Sequence, residues 1–548
     1  MEPPAEHAPP PSAPPVRRSL WIPSVFGAVF AFALLSSAFL LPLSFDAIFL
    51  HLKIGELIVG QQSIPATNLF SFTAPGHFWI AQDWLSEVVF FLVHEWLGTA
   101  GLIALGAILN AVACAVVYRI TVRNSGSPFL SVLVTLLAFL MMVADHALSP
   151  ALFGNVFFAL ALSILEAPEK GGRLRPVLVF LLFFLWANCH GSFLLGLAMI
   201  VLYLASATFT YLWAEPASGP NARGLLRDFG VALVATVCTP HHVFGLIFPF
   251  MYIRQALDPQ LSFLSSMSDL RAPTIYSPLG RMISFYLLFS GFAVLGSGKA
   301  PRPVYVGLIF AFAAFAFASV RHIALLGIAA TPMLAIHIPE TLQRTWQLLP
   351  RTGPLADLLV RLHGQLVEWD RQSRKVLLVL VSLGLLGLLL GTDPRTVNSV
   401  VHLSHSARHA ARLDRAYPRE LIGYLQQLGP NVRLFHHVNW GGALIYAFYP
   451  RLQVFIDPRA DCYPLEVFYD YLAMHRVDGD WKQVLDRFRI NTIAYPQDSE
   501  LARALRLEPA WRQGYADGQA VVYLKRSVWD IPSNSEEKTS ALPSLEFF

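Results

Sequence analysis

Residues 176–209 read PVLVFLLFFLWANCHGSFLLGLAMIVLYLASATF, an apolar run interrupted once, from Trp186 to Ser192, by Asn, Cys, His, Gly and Ser. One membrane helix needs roughly 20 apolar residues, and the two flanks together exceed that. The run therefore reads as two helices joined at a tight, polar turn. Composition agrees, since 55% of the 548 residues are hydrophobic, only 14% are charged and the mean hydropathy is +0.51. A soluble domain of this length is less apolar, so the chain reads as a polytopic α-helical membrane protein. A net charge of +4 bears on topology more than on partners, and no nucleic acid is expected. Cys114, Cys189, Cys238 and Cys462 have no metal or redox spacing, which argues against a disulfide framework.

Working outward, residues 1–19 are Pro/Ala-rich and read as a disordered cytoplasmic tail. A first span follows at about 20–43, too long for a signal-peptide core. Further spans are expected at roughly 98–119, 127–144, 151–166, 175–190, 193–213, 229–252, 282–297, 303–320, 322–337 and 375–391, about eleven in all. The loops on one side carry Arg17, Arg18, Arg119, Arg123, Lys170, Arg173, Arg175, Arg223, Arg227, Lys299 and Arg302, together with the basic stretch from Arg344 to Lys375. The positive-inside rule then places the amino terminus in the cytoplasm and the segment after the last span outside. The domains expected are a membrane domain over 20–391 with a long first outer loop at about 44–97, an extracytoplasmic α/β domain over 392–526, and a tail from 527 to 548.

In this layout the unusual polar residues gather on the outer face: Asp46, His51, Lys53, Glu56, Asp83, Glu87, Asp145, His146, the 188–192 turn, Arg321 and His322, with His241 and His242 at an uncertain depth. Charges near a membrane are costly unless they face water, a partner or a cavity, so a shared outer cavity is the economical reading. A transporter would place its charges nearer the midplane and in repeated halves, and no internal repeat is evident. Within the first outer loop, residues 45–59 have the spacing of an interfacial amphipathic helix. GQQSIP breaks it and a second such helix starts near Asp83. Lys53 lies two turns after Asp46 on the same face while His51 points elsewhere; Asp83 and Glu87, four apart, share a face.

Asp46 at the exit of the first span, FLHLKIGELI, IPATNLFSFT, DWLSE, LWANCHGSFLLGL, FASVRHIALLGIAATP, and the later NWGGALIYAFYP and VFIDPRADCYP resemble a group of bacterial polytopic proteins. These belong to, or border on, the GT-C superclass of glycosyltransferases, whose donors are sugars on polyprenyl phosphate. The resemblance covers most of the chain. It implies a GT-C-like membrane domain in a bacterial inner membrane, a polyprenyl-phosphate-linked sugar donor, membrane lipid as surroundings and an extracytoplasmic acceptor of unknown identity. Asp46 matches the position of the superclass's catalytic base, which would take a proton from the acceptor hydroxyl and give inversion. Helix capping is the alternative role for it. Many members carry a closely spaced acidic pair, whereas here Ala47 and Ile48 follow Asp46, so the second acid would come from Asp83 or Glu87.

Asp83 and Glu87 are also candidates to hold a divalent metal with His241 or His242, carboxylate and imidazole being suitable ligands; a solvated helix face is the plainer reading. Asp145 and His146 read as caps. Arg321, with His322, and Lys53 are candidates to grip a lipid phosphate through charge-assisted hydrogen bonds, against simple snorkelling. Asn188 and His190 either satisfy helix ends around the turn that Gly191 permits or contact sugar hydroxyls. In the outer domain PRELIGYLQQLG, PLEVFYDYLAMH and WKQVLDRFR read as helices, and VRLFHH, LQVFID, NTIAYP and AVVYLK as strands. Asp457, Arg459 and Asp461 would leave the LQVFID strand at its carboxyl end, a common ligand position and equally a place where such residues fix a turn. His436 and His437 could join them. The function expected is an integral membrane glycosyltransferase; the alternatives are a non-catalytic protein on the same scaffold that binds lipid-linked saccharide or assembles an envelope complex, and a transporter.

Overall fold

The computed structural model describes residues 29, 32–33, 45–144, 148–167, 172–213, 222–256, 272–348 and 419–526. The expected spans at 20–43, apart from those three residues, and at 375–391 lie outside this set, as do Asp145 and His146.

Apolar runs punctuated by Ser, Pro and Gly become helices with recognisable ends. The helix α1 (Phe45–Gln61) is followed by α2 (Trp84–Ser125), α3 (Pro128–Val143), α4 (Ala151–Leu165), α5 (Leu174–Cys189) and α6 (Phe193–Trp213). Then come α7 (Ala222–Val237), α8 (His242–Ala256), α9 (Pro278–Ser297), α10 (Pro303–Ala318), α11 (Ile323–Ala329) and α12 (Thr331–Leu348). Ser127 and Ser277 cap α3 and α9 by accepting from Leu130 N–H and Gly280 N–H, each with Pro in the first turn. Gly126 and Gly298 end α2 and α9 in the left-handed conformation. By length and composition α2, α6 and α9 can cross a membrane singly; α7 with α8, and α11 with α12, pass only as bent pairs, and α3, α4, α5 and α10 are shorter apolar helices.

Three local features differ from the sequence reading. The interfacial helix expected near Asp83 and the span expected at 98–119 are one 42-residue element with a break at Gly98, where φ is +63°. Gly98 can take that φ because it lacks a Cβ, so the chain turns from interface to bilayer without a loop. The span expected at 229–252 is two helices bent by 107° at the TPHH stretch. And LQVFID is not a strand of the sheet: Val454 forms an isolated bridge with Ser71, with Val454 N–H donating to Phe70 C=O at 2.9 Å and Phe72 N–H to Val454 C=O at 3.2 Å.

The outer domain contains α13 (Arg419–Gln426), β1 (Leu434–His436), α14 (Gly441–Phe448), α15 (Leu465–Arg476), α16 (Trp481–Arg487), β2 (Thr492–Pro496), α17 (Glu500–Leu505), β3 (Trp511–Ala516) and β4 (Ala520–Lys525). Its sheet has the order β1-β2-β4-β3, with β1 and β2 parallel and the other pairs antiparallel. The α14 helix, β3 and α17 were not expected. Residues of the first outer loop (Ile48, Phe49, Phe70, Trp79, Ile80) and of the outer domain (Phe435, Leu444, Phe455, Tyr471) bury their side chains in one hydrophobic core. The membrane helices pack around a second. Apolar burial is the main favourable term in association, so the first outer loop and the outer domain pack as one body.

Candidate functional site

The site is built where helix ends meet the first outer loop. Gly55 sets its base: a Cβ there would lie 2.2 Å from the Glu87 carbonyl oxygen and 2.7 Å from Phe91 Cβ. Only glycine lets α1 lie directly on the first turn of α2. One helical turn earlier on the same face, His51 Nδ1–H donates to Glu87 Oε1 at 2.8 Å. The sequence places His51 off the face of Asp46 and Lys53, and the backbone contact at Gly55 turns it to Glu87. Lys53 lies off this face and is ion-paired with Glu56 at 3.0 Å, so the structure does not bring it to the acids. Asp46 occupies the first turn of α1; its side chain is outside the described ones.

Gln82 and Asp83 join this base to two polar interruptions of the membrane helices. Gln82 Nε2 donates to Ala187 C=O at 3.2 Å, Trp84 Nε1 to Asn188 Oδ1 at 2.9 Å, and Ser86 Oγ reaches Cys189 C=O at 2.8 Å. Asn188 Nδ2 in turn donates to Phe184 C=O at 2.7 Å, so Asn188 is held by helix end and indole together. His190 meets Ser192 Oγ at 2.7 Å, and Gly154 leaves room for both, since a Cβ there would lie 2.8 Å from the His190 ring and 2.5 Å from Ser192 Oγ. At the α7/α8 bend, His241 Nε2–H donates to Ala81 C=O at 3.2 Å. The TPHH break therefore sits at the same end of the bundle as Asp83 and the 188–192 turn.

Charge is concentrated here. Asp83 accepts from the Gly191 N–H and lies within electrostatic reach of Glu87, His51 and Arg321. Burial, reinforced by Glu87, pushes its carboxyl up to about 7 against the lowering effects of His51, the Gly191 N–H and Arg321. Arg321, exposed in the single 3-10 turn Val320–His322 after α10, also acts on His190, as do His322 and His51. From the outer domain Asp461 reaches the same place. Its carboxyl accepts from the Trp79 indole and is pushed up to about 7, mainly by burial, with Asp83 adding to the rise. Asp83 and Asp461 are each half-buried.

Several buried polar atoms in these segments have no hydrogen-bond partner in the protein: Gln82 Oε1, Glu87 Oε2, Thr239 Oγ1 and Arg459 Nη1. Glu87 is only 3% exposed. Leaving such groups dry costs roughly 1–3 kcal/mol each, so water or a ligand has to answer them. Among the described residues, no group of three His, Cys, Asp or Glu is arranged to hold a metal ion. Asp83 and Glu87 with His241 or His242 make no such group among the described residues.

Asp457 and Arg459 have a different task. Arg459 grips Asp457 in bidentate fashion, Nε to Oδ1 at 2.8 Å and Nη2 to Oδ2 at 2.7 Å, while Tyr463 OH donates to Asp457 Oδ2 at 2.5 Å. Arg459 Nη2 also donates to Asn68 Oδ1 at 3.1 Å, and the guanidinium lies 4.8 Å and 4.5 Å from the ring centres of Phe70 and Trp79. Asn68, Phe70 and Trp79 all belong to the first outer loop, so this ion pair latches the outer domain onto it. His436 and His437 sit at the end of β1; His436 is fully buried beside Asp457 and His437 packs against Tyr495 and His475. His436 thus joins Asp457, while His437 stays with the rings of the outer domain.

Apolar helices whose polar ends meet the first outer loop and a small α/β domain make a GT-C-like fold. Among solved structures the chain is similar to ArnT from Cupriavidus metallidurans in the apo state, at 16% identity over 91% of this chain and 97% of that one, with a TM-score of 0.50. It is also similar to the Archaeoglobus fulgidus oligosaccharyltransferase AglB in complex with an inhibitory peptide and a dolichol-phosphate, at 11% identity over 93% of this chain and 75% of that one, TM-score 0.47. No protein-family model and no curated protein matches the chain.

Proposed function

We propose that the protein is an integral membrane glycosyltransferase that moves a sugar from a polyprenyl-phosphate donor to an acceptor on the extracytoplasmic side, with its amino terminus in the cytoplasm. The observation that carries this reading is that Asp83, Glu87, His51, His190, Arg321 and Asp461, from separate parts of the chain, act on one another at one end of the apolar helices. Such a place suits a substrate that is part lipid and part sugar. Helix surfaces take the prenyl chain, Arg321 the phosphate, and the unsatisfied atoms of Gln82, Glu87 and Thr239 the hydroxyls. Asp46, at the head of α1, takes the proton of the attacking acceptor hydroxyl. Displacement from the face opposite the phosphate inverts the anomeric centre.

Replacing Arg321 by Ala tests the phosphate role. A hydrogen bond to a charged group contributes roughly 1.5–3 kcal/mol, so polyprenyl-phosphate sugar should bind about tenfold to a hundredfold more weakly. Arg321 is exposed, and thermal stability should change little. Equal affinity of the two proteins, measured in nanodiscs, would remove Arg321 from the donor site.

A further inference from the structure

The turn between α5 and α6 holds a histidine whose proton is placed by its neighbours. Trp186 Nε1–H donates to Ser192 Oγ at 2.9 Å, and an indole nitrogen can only donate. Ser192 Oγ meets His190 Nδ1 at 2.7 Å, and the Ser192 backbone N–H donates to that same Nδ1 at 3.2 Å. A nitrogen that accepts a backbone N–H presents its lone pair, so the Ser192 hydroxyl donates to it as well and the imidazole proton sits on Nε2. The relay is anchored on both sides. Trp186 is fully buried among Phe157, Phe158 and Phe183, and Gly154 of α4 lies so close that a Cβ there would meet Ser192 Oγ at 2.5 Å and His190 Nδ1 at 2.8 Å. His190 itself is half-buried, and its Nε2 has no partner among the described residues. Gln82 crosses the same turn: its amide donates to Ala187 C=O at 3.2 Å, its Cγ would lie 3.5 Å from a Gly191 Cβ, and its Oε1 is buried without a partner.

We propose that His190 binds the transferred sugar: Trp186, Ser192 and Gly154 hold it as a neutral imidazole with a fixed Nε2–H, which donates to a neutral oxygen of the saccharide, a hydroxyl or the ring oxygen. The sugar contact rests on the transferase reading; the fixed tautomer does not. A lipid phosphate is the less fitting partner, because an uncharged imidazole offers it one ordinary hydrogen bond whereas Arg321 offers a charged fork. Charging the ring would place a hydrogen on Nδ1, against the Ser192 N–H that already points there. Burial pushes the imidazole down to about 3, with Arg321 and His322 after α10 and His51 on α1 adding to the fall. The remaining charged group on this turn is Asp83, which accepts from the Gly191 N–H. The donor therefore persists through the range around 6.5 in which an ordinary histidine switches. A donor covered by a ligand that lacks the oxygen loses its water and gains nothing in return, so the turn also selects among sugars.

Two measurements on the full-length protein in nanodiscs test this. Solid-state NMR with isotope-labelled histidine, the His190 signals identified from the difference between wild type and His190→Gln, should show the proton on Nε2 and an uncharged ring down to about pH 5. A proton on Nδ1, or an imidazolium at that pH, would overturn the fixed donor. Binding is then compared for bare polyprenyl monophosphate and for the same lipid carrying glucose, mannose, galactose or N-acetylglucosamine. For the sugar that wild type prefers, His190→Leu should weaken affinity about tenfold, as expected for a lost hydrogen bond that leaves a ligand group unanswered. His190→Gln, whose amide keeps an N–H near the place of Nε2, should recover most of that loss. Ser192→Ala, which frees Nδ1 from the hydroxyl, should weaken the same sugar lipid and bring the second tautomer into the spectrum. Bare lipid should bind all these proteins alike, which also reports that they are folded. Equal losses for bare and sugar-bearing lipid, or no loss in the leucine variant, would overturn the sugar contact and leave the transferase reading standing. A wild type that binds no sugar lipid better than the bare one would remove the transferase reading and the sugar contact together, and the NMR result still decides the tautomer.

Discussion

Replacing Arg459 by Ala is expected to destabilise the body formed by the first outer loop and the outer domain by about 3–5 kcal/mol, the range for breaking one side of a buried ion pair. Asp457 is fully buried and would keep only Tyr463 OH and the backbone N–H of residue 459 as partners. The loss is larger than that of a surface bridge because the same guanidinium also holds Asn68 and covers Phe70 and Trp79. Lys at 459 should recover only part of it, since an ammonium can neither fork onto the carboxylate nor lie flat on two rings. The readouts are thermal unfolding in detergent and protease cutting within residues 61–83, which should become faster while the membrane helices stay protected. Unchanged unfolding and unchanged cutting would show that the shared apolar core alone holds the two parts together.

Changing Asp46 to Asn should lower sugar transfer by a factor of about 10² to 10⁴, the usual contribution of a positioned proton acceptor, with donor affinity within about twofold of wild type. Asp46 stands in the first turn of α1, where the helix dipole favours a negative charge; Asp83 and Asp461 stand where burial resists one. A carboxylate at the head of a helix, rather than a buried one, is the better placed to stay ionised as a base. Asn preserves size and capping ability, so a loss of turnover reports proton transfer rather than folding. Turnover equal to wild type would remove Asp46 as the base.

Much of this was legible in the sequence because it depends on local pattern. The apolar run at 176–209 predicts two helices and a turn, and the structure has α5 ending at Cys189 and α6 starting at Phe193. The gathering of polar residues at one end of the helices was legible too. Pairing across the chain was not. LQVFID has the composition of a strand, yet its partner is Ser71 of the first outer loop, which no local signal announces. Period alone also could not name Glu87 as the partner of His51, since Gly55 against the Glu87 carbonyl brings α1 onto α2. Asp461 looked like one of three equivalent residues after Ile456. Asp457 and Arg459 instead became the latch, and Asp461, released from that pairing, accepts from the Trp79 indole of the first outer loop.

The most direct test of the lipid-linked-sugar site is a structure of the protein in lipid with polyprenyl-phosphate sugar at saturating concentration. The account predicts headgroup density at this end of the helices, with the phosphate at Arg321 and the sugar between Asp46, Asp83 and Asp461. A site that stays empty, or that holds ordinary membrane lipid with its headgroup away from Arg321, would contradict it.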